Sequence, residues 1–392
     1  MRDILVVCPQ ERDVRAVRAA GLEDRYHVTY AGSDLDHVDE FDPAAFLAEW
    51  ERVPAEGVLG TKDRSALLAA LLAKRRGLPG PTPEALLACQ HKPTARELQR
   101  RTAPAATPHF ALLDPEAPPF AFPFFAKPVV GRLSQSAVRI ESEADLRHLR
   151  ENEQYTRRYA EIAALAGADT ASLGGFLAEE LLTGDEVTLE GYVHGGRVTT
   201  VGVTDSVKYP GTDSFERFEY PSKLSEEQQA DLSRIAERVL PAFGFECAFF
   251  NIEFFVRTNC PPSLVEVNGR IASQFAPLVQ GLHGRSTYDA LFQLACGEDP
   301  KWKTGLPDGV GISYCIRVFE DAFVEAVPEP EDDLEILVTP GLRLSEQGVN
   351  DAQSYRLAIF SEFGATREEA VARCHERARR LNFRLQATAP VR

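Results

Sequence analysis

The segment Leu264-Val265-Glu266-Val267-Asn268-Gly269-Arg270 holds the densest chemistry in the chain. In an extended strand, side chains alternate between faces, so Glu266, Asn268 and Arg270 fall together as a carboxylate, an amide oxygen and a guanidinium. Upstream, Asn251-Ile252-Glu253 supplies a second carboxylate on a strand able to pair with the first. Two carboxylates and an amide are hard oxygen donors of the kind that hold Mg²⁺ against nucleotide phosphates. The same pattern also describes a surface strand whose polar face meets water. Three further clusters carry the same ambiguity. In Glu179-Glu180-Leu181-Leu182-Thr183-Gly184-Asp185-Glu186, acidic residues surround a glycine turn, which also suits a solvated hairpin. Lys127-Pro128 closes an aromatic run, where a lysine meets a phosphate or simply caps a strand end. Lys92, in His91-Lys92-Pro93-Thr94-Ala95-Arg96, precedes a helical segment.

The elements that must position these residues are legible in outline. The chain has 392 residues, which suggests two or three domains. Apolar runs at 4–8, 27–30 and 57–60 alternate with helical patterns at 13–20 and 65–74, the signature of a doubly wound α/β domain. No GxGxxG follows the first strand, so that domain carries no dinucleotide fingerprint. Seven prolines between 103 and 128 exclude regular helix there and mark a boundary near 105. Helix is expected over 143–167, 225–243 and 365–381. Strands are expected at 124–127, 137–140, 176–182, 186–193, 197–205, 248–256, 263–267 and 311–319.

Composition narrows the function classes. Fifty-nine acidic against 43 basic residues give a net charge of −16, which disfavours bulk attraction to nucleic acid or an anionic membrane. No apolar run approaches the ~18–20 residues of a membrane helix. The apolar start, residues 4–7, is too short for a signal peptide. Seven scattered cysteines without a CxxC pair argue for reduced thiols, and a cytoplasmic location is the expectation.

In order and spacing, these clusters together resemble the ATP-grasp superfamily of carboxylate–amine ligases, in the branch with biotin carboxylase, the purine carboxylases and the L-amino acid ligases. The resemblance runs from about residue 57 to 300. Gly80-Pro81-Thr82-Pro83-Glu84-Ala85 and Lys92 to Arg96 look like the lead-in to the ATP domain. Phe125-Ala126-Lys127-Pro128-Val129-Val130-Gly131 looks like the strand and loop that close over the phosphates, and 179–186 like the hinge between two grasping lobes. The resemblance implies an ATP-grasp fold of mixed α/β and α+β character, with an N-terminal doubly wound α/β domain and two lobes clasping ATP. Residues 1–104 would precede the ATP-grasp part, 105–183 form its small lobe, 184–305 its large lobe with the metal site, and 306–392 complete that lobe.

Carried over residue by residue, Lys92 and Lys127 would hold ATP phosphates, and Ser134 would donate to one. Glu179 and Leu182 would line the adenine edge through backbone groups, and Glu186 would accept the ribose hydroxyls. Glu253, Glu266 and Asn268 would bind one or two Mg²⁺ (or Mn²⁺) ions, and Arg270 would steady an acyl phosphate or substrate carboxylate. Lys127, Glu266 and Arg270 are thus the expected catalytic set. The implied reaction joins a small carboxylic acid, with an amino acid as one partner, to an amine, releasing ADP and phosphate. The alternatives are a purine-type carboxylase, a kinase that stops at the acyl phosphate, and a non-catalytic ATP-binding switch. A homodimer is the expected assembly. Candidate substrate contacts are His283-Gly284-Arg285 and the stretch 205–219 with Lys208, Tyr209 and Arg217, which reads equally as a mobile loop.

Two departures from the family pattern stand out. The phosphate loop Gly131-Arg132-Leu133-Ser134-Gln135-Ser136 keeps one glycine and so is stiffer than usual. Asn251 stands two positions before the first metal carboxylate, where an arginine is common, and Arg132 and Arg285 are candidates to replace that charge.

Overall fold

A computed structural model describes residues 1–38, 40–131, 136–303, 305, 307–348, 351 and 353–387. The first strand, β1 (Arg2–Val7), is apolar enough to be buried on both faces, and it lies between β2 (Tyr26–Ala31) and β3 (Gly57–Leu59) in a parallel sheet. Its connecting helices are α1 (Glu11–Ala19) and α2 (Pro43–Trp50). The periodic leucines of 65–74 form the buried centre of α3 (Asp63–Arg76), which Gly77 ends in a left-handed turn. Two short helices, α4 (Pro83–Gln90) and α5 (Lys92–Thr102), lead out of this unit.

An antiparallel four-stranded sheet follows, in the order β4-β7-β5-β6, from β4 (Phe110–Leu112), β5 (Phe124–Pro128), β6 (Val138–Ile140) and β7 (Phe176–Glu179). The proline-rich stretch therefore contains β4 and β5. The helix expected over 143–167 divides into α6 (Glu143–His148) and α7 (Glu153–Leu165), and Gly167 (φ +81°) ends the second. The strand expected over 176–182 stops at Glu179. Beyond it the chain turns toward the next sheet, where a Cβ on Gly184 (φ +129°) would fall 2.5 Å from the Val256 carbonyl.

Among the described residues the largest sheet has eight antiparallel strands. They are β8 (Asp185–His194), β9 (Arg197–Lys208), β10 (Phe215–Tyr220), β11 (Ala248–Val256), β12 (Ser263–Asn268), β13 (Val310–Val318), β15 (Glu335–Ile336) and β16 (Tyr355–Gly364). Their order is β12-β11-β8-β9-β10-β13-β16-β15. The stretch 205–219 is thus largely the β9–β10 hairpin rather than a mobile loop, because both arms find ladder partners. The helices of this part are α8 (Glu226–Val239), α9 (Ala276–His283), α10 (Thr287–Ala295) and α11 (Arg367–Arg380), and β14 (Phe323–Ala326) pairs with β17 (Arg384–Gln386). Among the described residues, no helix is long and apolar enough to cross a membrane.

One buried carboxylate ties the N-terminal unit to the large sheet. Asp13 is fully buried on α1 and accepts from the Gln10 N–H (2.7 Å), Thr61 Oγ1 (2.7 Å), Ser273 Oγ (2.9 Å) and the Tyr288 hydroxyl. These donors lie before α1, after β3, after β12 and on α10. Replacing Asp13 by Ala leaves the buried Thr61 and Tyr288 hydroxyls, the half-buried Ser273 hydroxyl and an amide without this acceptor, at ~1–3 kcal/mol for each buried group left unsatisfied. The expected outcome is a loss of about 3 kcal/mol or more, read as a lower urea midpoint with little change in slope.

Candidate active site

The antiparallel pairing of β11 with β12 places Glu253 directly opposite Glu266 and Asn251 opposite Asn268. Sequence spacing allowed this pairing, and the register produces it. Burial pushes the Glu253 carboxyl up to about 8, and the facing Glu266 adds to the rise. The Asn268 amide nitrogen donates to Glu253 Oε1 at 3.4 Å, while its oxygen accepts from Arg270 Nη2 at 3.4 Å. Arg270 lies just past the end of β12, and its Nε donates to Asp63 Oδ1 at 2.7 Å. Burial works against this guanidinium's charge, but Asp63, Glu253 and Glu266 raise its pKa above the ordinary value.

Both lysines reach this pair of strands from other elements. Lys92 is the first residue of α5; its N–H bonds to the Val129 carbonyl at 3.1 Å, and its Nζ lies 3.3 Å from Glu266 Oε1. Lys127, on β5, is buried and places Nζ 2.9 Å from Glu179 Oε2. Glu179 is also gripped by Arg96, with Nε to Oε1 at 2.6 Å and Nη2 to Oε2 at 3.1 Å. Two cations thus share one carboxylate in a nearly dry site, and the consequences differ for each partner. Burial alone would raise Glu179, yet Lys127 and Arg96 hold it down at about 2. Lys127 falls to about 8, first through burial and then through repulsion from Arg96. The backbone role expected for Glu179 therefore comes beside a side-chain role that the sequence reading missed.

Leu182 lies half-buried in the turn after β7. Glu186 begins β8 and pairs with Lys208 Nζ at 3.2 Å; burial raises its pKa and Lys208 opposes the rise. Ser134 and Arg132 lie outside the described residues. Arg285 does not replace the charge missing at Asn251: its guanidinium stacks 4.6 Å over the Trp302 ring and bonds to the Pro300 carbonyl. His283 is taken up by the Tyr220 hydroxyl at 2.8 Å. Of the 205–219 candidates, Lys208 joins the site through Glu186, Tyr209 donates to the Cys315 carbonyl (2.9 Å), and Arg217 pairs with Glu216 and Glu219.

Sequence reasoning passed over Asp63, Glu190 and the role of Arg96. Glu190, opposite Asn251 on β8, is pushed up to about 7 by burial, although the Ala272 N–H (2.9 Å) and Asn251 counter this. Asp63 opens α3, a position that spacing alone reads as ordinary N-terminal helix chemistry.

A divalent cation fits the donor set. Among the described residues no three His, Cys, Asp or Glu side chains gather as a metal nest. The protein's share would be Glu253, Glu266 and the Asn268 amide oxygen, with phosphate or water completing the shell, as is usual for Mg²⁺. The mutual repulsion that raises Glu253 is the kind a cation between the carboxylates relieves.

Comparison with known proteins fits this geometry. The family model for the ATP-grasp domain matches residues 120–277. A crystal structure of an L-amino acid ligase from Bacillus licheniformis superposes with a TM-score of 0.78 at 17% identity, covering 98% of this chain and 99% of that one. The biotin carboxylase domain dimer of the Hydrogenobacter thermophilus 2-oxoglutarate carboxylase, in complex with MgADP, ADP and bicarbonate, gives 0.70 at 15%, covering 98% and 91%. An uncharacterized protein of Sinorhizobium fredii, y4rH, is 27% identical over 276 residues, or 68% of this chain, and the match spans only 55% of that relative's length. The fold is the ATP-grasp fold. Residues 120–277 match the family model of the ATP-grasp domain.

The Arg96–Glu179–Lys127 cluster makes a prediction with a definite sign. Because the folded Glu179 titrates at about 2 rather than the ordinary 4.5, its contribution is full above pH 4.5 and fades as the pH falls toward 2. Glu179→Gln is expected to cost about 3 kcal/mol at neutral pH. Urea unfolding of wild type and variant across pH 7 to 2 checks this, and the two curves should converge only at the acid end.

Proposed function

We propose that the protein is an ATP-dependent ligase that joins a small carboxylic acid to an amine through an acyl phosphate, with an amino acid as at least one substrate. The observation that carries this reading is the convergence of two facing carboxylates with Lys92 and Lys127. Glu253 and Glu266 oppose each other at the mouth of β11 and β12, and Lys92 stands 3.3 Å from Glu266. Phosphoryl transfer asks a protein for positioning and charge neutralisation more than for covalent chemistry, and these residues are of that kind. The likeness to an L-amino acid ligase favours an amino acid substrate.

In this reading the substrate carboxylate oxygen attacks the γ-phosphorus of ATP, the bond to the β-phosphate oxygen breaks, and ADP leaves. The amine then attacks the acyl carbon; inorganic phosphate departs with the bonding pair, and the nitrogen gives up a proton. Lys92 and Lys127 hold phosphate oxygens. Mg²⁺ bound at Glu253, Glu266 and Asn268 would supply further neutralisation of phosphate charge. Arg270, held by Asp63 through its Nε, keeps its Nη groups directed along the end of β12, where its fork suits an acyl phosphate. Glu186, beside Lys208, is the acceptor for ribose hydroxyls, and the backbone around Glu179 and Leu182 lies against the adenine edge.

The test is ADP release with Mg-ATP against pooled amino acids and small carboxylic acids, with products weighed by mass spectrometry. A new mass equal to acid plus amine minus water supports the ligase. ADP without a condensed mass favours a kinase, or a carboxylase if bicarbonate changes the product, and ATP binding without ADP from any pool favours a nucleotide-operated switch. Glu266→Gln is expected to lower turnover on the order of 10²–10³-fold or more while the fold remains intact by circular dichroism. Full activity in the folded variant would refute the metal assignment.

A further inference from the structure

Arg356 sits near the start of β16 directly opposite Arg317 on β13, beside an irregularity in the ladder. Like charges facing each other across a strand pair repel, and each requires a counter-charge. Arg317 has one: its Nη1 lies 2.8 Å from Asp351 Oδ2 and 2.8 Å from Ser354 Oγ, and its Nε donates to the Phe215 carbonyl at 2.8 Å. The third cation, Arg12 on α1, also has one, gripping Glu335 on β15 at 2.7 Å. Arg356 has none. Its Nε is fully buried with no hydrogen-bond partner among the described residues, while the residue as a whole keeps partial exposure. Glu335, the carboxylate whose charge reaches Arg356, is committed to Arg12.

The Arg356 Nε is a buried donor that meets no acceptor among the described residues, and it faces a second guanidinium across the ladder. The position connects this arginine to the reaction centre. The loop after β12 is clamped on one side by Asp13, next in sequence to Arg12, through Ser273. On the other side Gln274 Nε2 donates to Ser313 Oγ at 3.0 Å and reaches Cys315 Sγ at 3.5 Å, on the same strand as Arg317. The loop after β12 and the start of β16 thus both pack on β13, through Gln274 and through the pairing of Arg356 with Arg317.

We propose that Arg356 anchors an anion subsite that takes a substrate carboxylate other than the one that is phosphorylated. The proposal rests on the ligase reading and deepens it: at least one substrate carries a second carboxylate, either the α-carboxylate of the acceptor amino acid or an acidic side chain. A planar guanidinium suits either one through paired N–H donors.

The first experiment needs no turnover. Thermal unfolding of ligand-free wild type and Arg356→Gln at low salt is expected to give the variant an equal or higher midpoint, since an uncompensated buried charge has been removed. A midpoint lower by several degrees would mean that Arg356 serves the fold and would overturn the proposal. Succinate should raise the wild-type midpoint at millimolar concentration, succinamide should not, and Arg356→Gln should respond to neither. Failure of succinate to shift wild type, or an equal shift in the variant, overturns the subsite.

The second experiment measures ADP release. The KM of the anionic substrate should rise about tenfold or more in Arg356→Gln, with partial recovery in Arg356→Lys. Comparing an acceptor amino acid with its carboxamide, and glutamate with glutamine, distinguishes the two sources of the carboxylate. An unchanged KM for every anionic substrate overturns the proposal. No ADP from either protein would refute the ligase reading, and the succinate measurement would still decide the subsite.

Discussion

The grip of Arg96 and Lys127 on Glu179 is the interaction on which the site depends. It joins α5, β5 and β7 through side chains that are almost completely buried. Two positive charges for one negative leave a surplus cation in a low-dielectric position, and Lys127 carries it, as its fall to about 8 indicates. A phosphate group would supply the missing negative charge. Removing Glu179 would instead leave two buried cations side by side, so the carboxylate is what permits a lysine to wait there charged.

The same economy recurs around the metal strands with the sign reversed. Glu253 and Glu266 face each other, and burial first, then the neighbouring Glu266, pushes the Glu253 carboxyl up to about 8. Lys92 leans on one side of the pair and Arg270, steadied by Asp63, on the other. A chain of net charge −16 thus concentrates its cations where phosphate chemistry would occur, which is a local arrangement rather than a bulk property.

Much of this was legible in the sequence, and the reasons are specific. The period-two alternation of 263–268 and the apolar run of 4–8 report burial directly, so those strands were readable. The clusters at 92–96, 127 and 266–270 carry residue types that few structural roles require together. The Arg96–Glu179 pair spans 83 positions, and no local pattern encodes which distant charge a buried arginine will meet. Asp63 was hidden in ordinary helix-start chemistry. The stretch 205–219, rich in polar residues, read equally as a loop because its ladder partners on β13 lie about a hundred residues later. Arg285 looked available for the site until its stacking on Trp302 was visible, and aromatic stacking leaves no periodic trace. Arg356 gave no signal, since its meaning lies in the absence of a partner.

One feature of the large sheet bears on how an open edge is covered. Among the described residues β12 is an edge strand, paired only with β11, and exposed edges invite another chain to add to the ladder. Here the outward carbonyl of Val265 accepts from Arg96 Nη2 at 2.6 Å and from Lys127 Nζ at 3.4 Å. The sheet is closed at this point by side chains reaching over from α5 and β5 instead of by another strand. The contact that holds Arg96 and Lys127 beside the carboxylates thus also removes an acceptor from an edge that would otherwise be open to aggregation.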